Sequence, residues 1–297
     1  MTGFYLYCIR PRTRINSVRG KEKSNSEFSL EGIDGGKVFT IPHQDLEAIV
    51  SEVSLAEFGS EEIQKRAQED LGWIKEKAQI HEKVIEEAMI GEDPLKNKNL
   101  KAVIPMKFGT IFKSKESLEE TLKKHYDQFK ESLKKIEGKQ EWAVKVYLDR
   151  RAFEKEIKKV SPVVQEKEKE IAQLYSESKI RTSRPDEVGN RLPEGVAYFA
   201  QKQIDEAASK EADKALENYT ESFVEALKKW AEVSTKSKIL EKELTGKSLP
   251  MVLNAIFLVS KEKLENFIKE IDKLEEIYKS KGFNFEYSGP WPPYNFI

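Results

Sequence analysis

The sequence is poor in cysteine and carries almost no excess of charge of either sign. Cys8 is its single cysteine, so the 297-residue chain has no disulfide framework and is expected in a reducing compartment. Cys8 lies in an apolar run, which favours a buried hydrophobe over a nucleophile. The 51 Lys and Arg residues are balanced by 52 Asp and Glu residues. Since nucleic acid requires a cationic face, this balance argues against nucleic acid as a main partner.

The sequence also lacks a long hydrophobic run. Its longest apolar stretch without charge, residues 248–260, is shorter than the ~20 residues that a membrane-spanning helix requires. No signal peptide is recognisable, because Arg10, Arg12 and Arg14 follow the N-terminal apolar run instead of preceding it. We therefore expect a soluble cytoplasmic protein with no membrane partner.

Motifs of cofactor, metal and catalytic sites are missing from the sequence as well. It contains no GxGxxG or Walker pattern, and the glycines of residues 32–36 lie in a polar insertion. His81 and Glu82 begin like a zinc-protease helix, but Ile85 stands where the second histidine is required. No serine lies in a GxSxG elbow. We predict no catalytic residue, no cofactor and no metal site.

The periodicity of the apolar residues predicts both strands and helices. Alternating or wholly apolar runs predict strands at residues 4–9, 37–41, 46–53, 142–149, 250–259 and 283–287. Helical spacing predicts helices at residues 60–90 (two helices, or one bent near Gly72), 114–137, 150–159, 162–180, 195–237 and 260–281. The longest of these has a predicted apolar stripe that includes Phe199 and Trp230. Its alanine-rich middle is expected to pack on residues 162–180.

These elements predict an α+β fold with two domains, residues 1–138 and 139–297. Each domain is expected to contain a small mixed sheet, ferredoxin-like in style, covered by helices. The second domain adds a hairpin of the long helices 162–180 and 195–237 and ends in a βαβ unit with a right-handed crossover. Residues 10–36 form a basic insertion in the first domain, for which a solvated loop is favoured over an anion-binding arm.

Two segments have an unusual composition. Residues 101–112 are predicted to form an edge strand that is interrupted by Pro105 and turned by Gly109, with Lys107 at its centre. At the other end of the chain, residues 288–297 are aromatic, rich in proline and nearly uncharged. Such an apolar terminus must be packed or used for binding.

The sequence resembles the GvpF/GvpL family of gas vesicle proteins, and the matching motifs run over most of the chain. They are Tyr5-Leu-Tyr7, Val50-Ser-Glu-Val53 with Leu55 and Phe58, His81-Glu82, Ile104-Pro-Met-Lys-Phe-Gly-Thr110, Trp142 with Lys145-Val-Tyr-Leu-Asp149, Gly195-Val-Ala-Tyr198, and Gly289-Pro-Trp-Pro-Pro-Tyr-Asn-Phe296. Their order and the terminal GPWPPYxF motif make the match specific. Lys107 stands where the family usually has arginine, and the basic insertion is longer than expected.

The resemblance implies an accessory or minor structural protein, not an enzyme, that is associated with gas vesicles in the cytoplasm. Gas vesicles are hollow protein shells whose small major subunit is very apolar. Such a subunit aggregates unless its surface is held until it joins the shell. We therefore expect binding to the major shell protein and to other accessory proteins during nucleation and assembly. The candidate contact residues are Pro105, Met106, Lys107, Phe108, Gly109, Trp291, Pro292 and Tyr294.

Two other functions are consistent with the sequence. The first is an enzyme with an unrecognised site between the domains, which turnover of a small-molecule panel would reveal. The second is a dimeric helical scaffold built on residues 195–237. Co-purification with an apolar shell protein distinguishes the assembly role from both.

Overall fold

A computed structural model describes residues 1–12, 28–90, 100–181 and 194–297 of the chain. Most of the predicted basic insertion lies outside the described residues, and so do residues 184–189, whose Arg-Pro-Asp-Glu-Val-Gly sequence predicts a loop. The fold is α+β with two antiparallel sheets, which confirms the predicted fold class. One compact unit comprises Met1–Trp142, Leu258–Glu262 and Ser288–Ile297, and the other comprises Ala143–Phe257 and Lys263–Tyr287. The division into domains at residue 138 stays a prediction.

The first sheet has five strands, numbered in chain order as β1 Thr2–Pro11, β2 Val38–His43, β3 Leu46–Ser54, β4 Ile104–Pro105 and β5 Ile111–Phe112. Their order is β2-β3-β1-β4, and β5 also pairs with β1. All of these pairs are antiparallel, and β1 has a register shift between Leu6 and Cys8. β1 is therefore paired along both edges, and consecutive residues from Tyr5 to Arg10 are buried, so both of its faces are covered.

Strand β1 continues two residues beyond the predicted end, and this changes the role of Arg10. Arg10 was predicted to begin the solvated insertion, but it is 2 % exposed. Its Nε atom lies 2.7 Å from Oε1 of Glu47, and its Nη1 atom donates to the carbonyl of Ala88 at 3.1 Å. Because the buried guanidinium is paired and hydrogen-bonded, the strand can continue through a charged residue.

The helices of the first unit are α1 Leu55–Phe58, α2 Ser60–Glu69, α3 Leu71–Ile90, α4 Lys115–Lys124 and α5 Tyr126–Ile136. The predicted break near Gly72 occurs at Asp70, whose Oδ1 accepts from the Trp73 N–H at 2.9 Å. The single helix predicted for 114–137 is divided at His125. Ser114 caps the first of these two helices and forms a reciprocal capping box with Ser117.

The second sheet has four strands, β6 Lys139–Leu148, β7 Val233–Lys236, β8 Met251–Ser260 and β9 Phe283–Trp291, in the order β7-β8-β6-β9. β8 is an interior strand, as its almost wholly apolar sequence favours, and its buried Asn254 donates to the carbonyl of Lys238 at 2.8 Å. The remaining helices are α6 Arg150–Val160, α7 Pro162–Arg181, α8 Glu194–Lys228, α9 Lys242–Thr245 and α10 Lys261–Tyr278. Helix α10 joins β8 to β9, which lie on opposite sides of β6, so the βαβ unit is split by an inserted strand.

The long helix α8 begins within one residue of its predicted start but ends earlier than predicted. It was predicted to reach residue 237, but it ends at Lys228, and Val233–Lys236 form the edge strand β7. β-Branched Val233 and Thr235 favour a strand, and the N–H of Ser237 pairs with the carbonyl of Asn254 at 2.8 Å. The alanines Ala200, Ala208 and Ala212 are buried, and α7 packs on α8 as predicted. Phe199, which was assigned to the buried stripe, is 64 % exposed.

Candidate functional site

Several of the segments that carry the family resemblance meet inside the first unit, around the imidazole of His81. This side chain lies on α3 and is 1 % exposed. Its Nδ1 atom is 3.1 Å from the hydroxyl oxygen of Tyr5, and its Nε2 atom is 3.0 Å from the carbonyl oxygen of Met106. Because a carbonyl oxygen can only accept, Nε2 carries the proton, and Nδ1 accepts from the Tyr5 hydroxyl. This assignment is that of a neutral imidazole, in agreement with the low pKa that burial gives His81.

The loop at residues 106–109 is fixed by strand β1 and by this histidine. The Gly109 N–H donates to the Tyr5 hydroxyl at 2.9 Å, and the Met106 N–H donates to the carbonyl of Tyr7 at 2.8 Å. Gly109 has a φ of 82°, in the left-handed region that favours glycine. The rings of Phe108 and His81 pack edge to face, and their centroids are 5.9 Å apart. The edge strand predicted for residues 101–112 is present as the short strands β4 and β5, and the predicted turn at Gly109 lies in the loop between them.

The C-terminal segment completes the same cluster. The hydroxyl of Tyr294 donates to Oε1 of Glu82 at 2.8 Å and lies 3.3 Å from Nε2 of His81. The next residue, Asn295, donates to the carboxylate of Glu141 from its backbone N–H at 3.1 Å and from Nδ2 at 2.7 Å. We use the term histidine network for the hydrogen-bonded group Tyr5, His81, Glu82, Met106, Gly109 and Tyr294.

Near its C-terminal end, at Gly289, the backbone of strand β9 lies very close to strand β6. Gly289 has a φ of 152°, and a Cβ atom there would lie 2.8 Å from the carbonyl oxygen of Glu141 and 2.9 Å from the Trp142 ring. Any larger residue would therefore displace backbone. This contact explains why the terminal motif begins with glycine.

Burial determines the protonation states in the histidine network. Desolvation lowers the pKa of His81 from 6.5 to about 4, and the hydrogen bond to the Met106 carbonyl partly opposes this change. Desolvation also raises the pKa of the Glu82 carboxyl, against the effect of the hydrogen bond from Tyr294. The pKa values of the Tyr5 and Tyr294 hydroxyls are raised by the same burial, so both groups remain protonated.

The network is arranged to hold segments together. Both nitrogen atoms of His81 are engaged, and neither Tyr5 nor His81 reaches the surface. Cys8 is fully buried as expected, and burial raises the pKa of its thiol to about 12. Within the described ranges, no group of three or more His, Cys, Asp or Glu side chains could bind a metal ion. No helix in the part of the chain that the structure describes is long and apolar enough to span a membrane.

Most of the predicted contact residues take part in this interior. Pro105 is buried and pairs with Cys8 in the sheet, and Pro292 is also buried. Met106, Gly109 and Tyr294 are half-buried and belong to the histidine network, while Phe108 is half-buried and packs on the His81 ring. The structure thus joins the two predicted groups, 105–109 and the C-terminal motif, through His81.

Two of the predicted residues are exposed. Lys107 lies at the surface of the loop, and its carbonyl accepts from the N–H and the hydroxyl of Thr110, at 3.1 and 2.7 Å. Trp291 is 40 % exposed, and its indole N–H donates to the hydroxyl of Ser288 at 3.0 Å. Neither side chain has a hydrogen bond to the histidine network, so both are available for contacts outside the chain.

Sequence reasoning missed an exposed aromatic surface at the start of α8. Tyr198 and Phe199 are 66 % and 64 % exposed, and their ring centroids are 6.1 Å apart. Val196, one helical turn before Phe199, is exposed as well. Helical periodicity predicted that Phe199 is buried together with its neighbour Ala200. The sequence signal for this surface was the family motif Gly195-Val-Ala-Tyr198, which lies in the same segment. We call Val196, Tyr198 and Phe199 the α8 aromatic surface.

Comparison with known proteins identifies similar sequences and structures across the whole chain. A family model described as gas vesicle synthesis protein GvpL/GvpF matches residues 3–297. Gas vesicle protein L of a Streptomyces species is 26 % identical over 265 residues, which cover 89 % of this chain and 85 % of that protein. Gas vesicle protein F1 of Halobacterium salinarum is 23 % identical over 279 residues, covering 93 % and 89 %.

Crystal structures of the gas vesicle protein GvpF share the fold. The protein from an Anabaena species matches with a TM-score of 0.61 at 19 % identity, over 100 % of this chain and 96 % of that chain. The protein from Microcystis aeruginosa matches with a TM-score of 0.58 at 18 % identity, over 99 % and 98 %. These matches confirm the two-sheet α+β architecture.

Proposed function

Because the chain belongs to the gas vesicle synthesis protein GvpL/GvpF family, we propose that it binds the apolar major shell subunit of gas vesicles and assists its assembly into the shell. The match of the family model to residues 3–297 is the observation that carries this proposal. The protein is then located at gas vesicles as they nucleate and grow, with the shell protein and other accessory proteins as partners.

The physical requirement of this role is an apolar surface that remains accessible in the folded protein. A small, very apolar subunit is stabilised in water when its exposed surface is covered, by about 25 cal/mol for each Å² removed from solvent. The histidine network cannot provide this surface because its side chains are used internally. The contact must therefore come from exposed side chains near the family motifs.

The α8 aromatic surface is the most suitable contact of this kind. Its two large rings and Val196 are exposed on a segment that matches the family. Aromatic side chains contribute a large apolar area at a small cost in conformational entropy, which is why they dominate binding energies at protein interfaces. Trp291 and Lys107 are further contact candidates, since both are exposed beside motifs whose other residues are packed.

Capture of the shell protein tests this contact. An affinity-tagged shell subunit, co-expressed with the full chain, should retain the wild type. The double variant Tyr198→Ser/Phe199→Ser should reduce the captured amount at least about ten-fold, because it removes both exposed rings. Its stability should stay within about 0.5 kcal/mol of wild type, since neither ring is buried.

The matched control is Leu244→Ser, on α9, which removes an apolar side chain that is 75 % exposed and lies outside the family motifs. Capture of this variant should equal that of the wild type. Equal losses in both variants would show that the α8 aromatic surface is not specific. If the wild-type chain itself does not bind the shell subunit, the proposed function is wrong.

A further inference from the structure

A pocket of about 660 Å³ opens on the first unit, away from the histidine network. Its walls include the apolar side chains of Leu46, Leu100 and Leu133, of which Leu46 and Leu133 are buried beneath the surface. This volume is typical of ligand pockets, and apolar walls of this kind favour a ligand with a hydrophobic body.

Cations predominate around these apolar walls. The charged lining residues are Arg12, Lys101, Lys130, Lys134 and Lys261, against Asp45 and Glu137. The chain as a whole has a formal net charge of -1, so the positive charge is a local feature of this pocket. A cationic, partly enclosed surface concentrates field lines and attracts anionic groups.

One of the two acidic residues, Asp45, is already paired with a cation of the pocket. Asp45 Oδ2 lies 2.9 Å from Nζ of Lys130, and its Oδ1 accepts from the hydroxyl of Tyr126. These two hydrogen bonds hold the pKa of the Asp45 carboxyl below its usual value, so it remains ionised. Among the described residues, by contrast, Arg12 and Lys134 have no carboxylate partner, and both side chains are exposed.

We propose that this pocket binds an acidic peptide segment of a partner protein. Apolar side chains of that segment lie against Leu46, Leu100 and Leu133, and its carboxylates lie among the lysines. A small inorganic anion would leave the apolar walls uncovered. The rim is mostly lysine, and a lysine ammonium is a compact point charge that accepts carboxylates in many orientations. This site is independent of the apolar contact proposed at α8.

A peptide titration with two neighbouring charge reversals tests the site. The probe is a fluorescein-labelled hexapeptide of alternating Glu and Leu, titrated with the full chain and followed by fluorescence anisotropy. Lys134 lines the pocket and Lys135 does not, although both are exposed in the last turn of α5. Lys134→Glu should weaken binding about ten-fold, whereas Lys135→Glu should change it less than about two-fold.

The neighbouring substitution also controls for the helix, because both charge reversals lose the same favourable interaction with its C-terminus. Unfolding curves of the two variants should therefore coincide, and Lys134→Gln provides a milder test if Lys134→Glu fails to fold. Binding should also weaken as NaCl is raised.

Three results would overturn the proposal. The first is an equal loss in the Lys134 and Lys135 variants. The second is equal binding of a Lys-Leu hexapeptide, which would indicate apolar adhesion alone. The third is displacement of the peptide by inorganic phosphate at the peptide's own concentration, which would indicate a site for small anions. None of these outcomes bears on capture of the shell subunit.

Discussion

At the scale of single residues, the neutral imidazole of His81 connects parts of the chain that are far apart in sequence. It accepts from Tyr5 on β1, donates to the carbonyl of Met106 in the loop, and lies beside Tyr294 near the C-terminus. These hydrogen bonds replace those that the buried imidazole would make with water in the unfolded chain. Leaving one of its nitrogen atoms without a partner would lower the free energy of unfolding by ~1–3 kcal/mol. The histidine is thus a structural junction between family motifs.

Acid should destabilise the protein through this residue. The unfolded imidazole takes up a proton below pH 6.5, but the folded one does so only near pH 4, because its pKa is lowered to about 4. Between these values the unfolded chain binds more protons, so stability present above pH 6.5 is lost as the pH falls, by about 3 kcal/mol in total. Urea unfolding of wild type and His81→Gln, measured from pH 7 to pH 4.5, should show their difference shrinking towards acid.

The neighbouring carboxyls act in the opposite direction. The pKa values of Glu82 and Glu141 are raised, so their contributions to stability are lost as the pH rises, and both are present in wild type and variant. The difference between the two proteins therefore isolates His81. A difference that stays constant from pH 7 to pH 4.5 would contradict the neutral imidazole.

Only part of this junction could be predicted from the sequence. The sequence places His81 beside the apolar residues Val84 and Ile85 of its helix, which favours a packed or half-exposed side chain, and the absence of ligand spacing argues against a metal. No pattern indicated its partners, since Tyr5, Met106 and Tyr294 are joined by tertiary structure alone. The shared motifs were the only signal that these segments belong together.

At the scale of elements, the C-terminal segment is a structural part of the first unit. Strand β9 extends to Trp291, past the predicted end at residue 287, and the following Tyr294 and Asn295 bond to Glu82 and Glu141. Pro292 and Phe296 are buried. The sequence showed that this apolar terminus must be packed or used for binding, and the structure shows that most of it is packed.

Removing one hydroxyl should measure this anchoring. Tyr294→Phe deletes the donor to Glu82 and should lower the free energy of unfolding by about 1–2 kcal/mol, because the carboxylate remains half-buried without it. Tyr198→Phe, which removes a hydroxyl from a ring that is 66 % exposed, should be neutral. Chemical denaturation of the two variants provides the comparison. Equal stabilities would show that the segment is held by apolar packing alone.

Elements defined by strong periodicity were predicted well, and those that depend on neighbours were not. Strands β3 and β8 and helix α6 lie within a residue or two of their predicted ends, because alternation or a 3.6-residue stripe defines them locally. Edge strand β7 was read as the end of α8, because its pairing with β8 is a tertiary contact. For the same reason, residues 101–112 were read as one strand although β1 pairs with two short pieces of it.

At the scale of the whole molecule, the buried hydrogen-bonded interior of the first unit and the exposed surfaces differ in chemistry. The histidine network joins residues from four of the family motifs through internal hydrogen bonds. The α8 aromatic surface, Trp291, Lys107 and the cation-lined pocket are exposed, and we propose them as the contacts for partner proteins. The α+β architecture followed from the pattern of elements, but the positions of these surfaces required the tertiary structure.

Buoyant gas vesicles provide the most direct test of the proposed role. The measurement is the yield of vesicles that float on centrifugation, in cells that express a complete gas vesicle gene cluster with or without the gene for this chain. We expect the yield to fall to background without the chain and to be restored by the wild-type gene. An unchanged yield of buoyant vesicles in its absence would contradict a role in assembly.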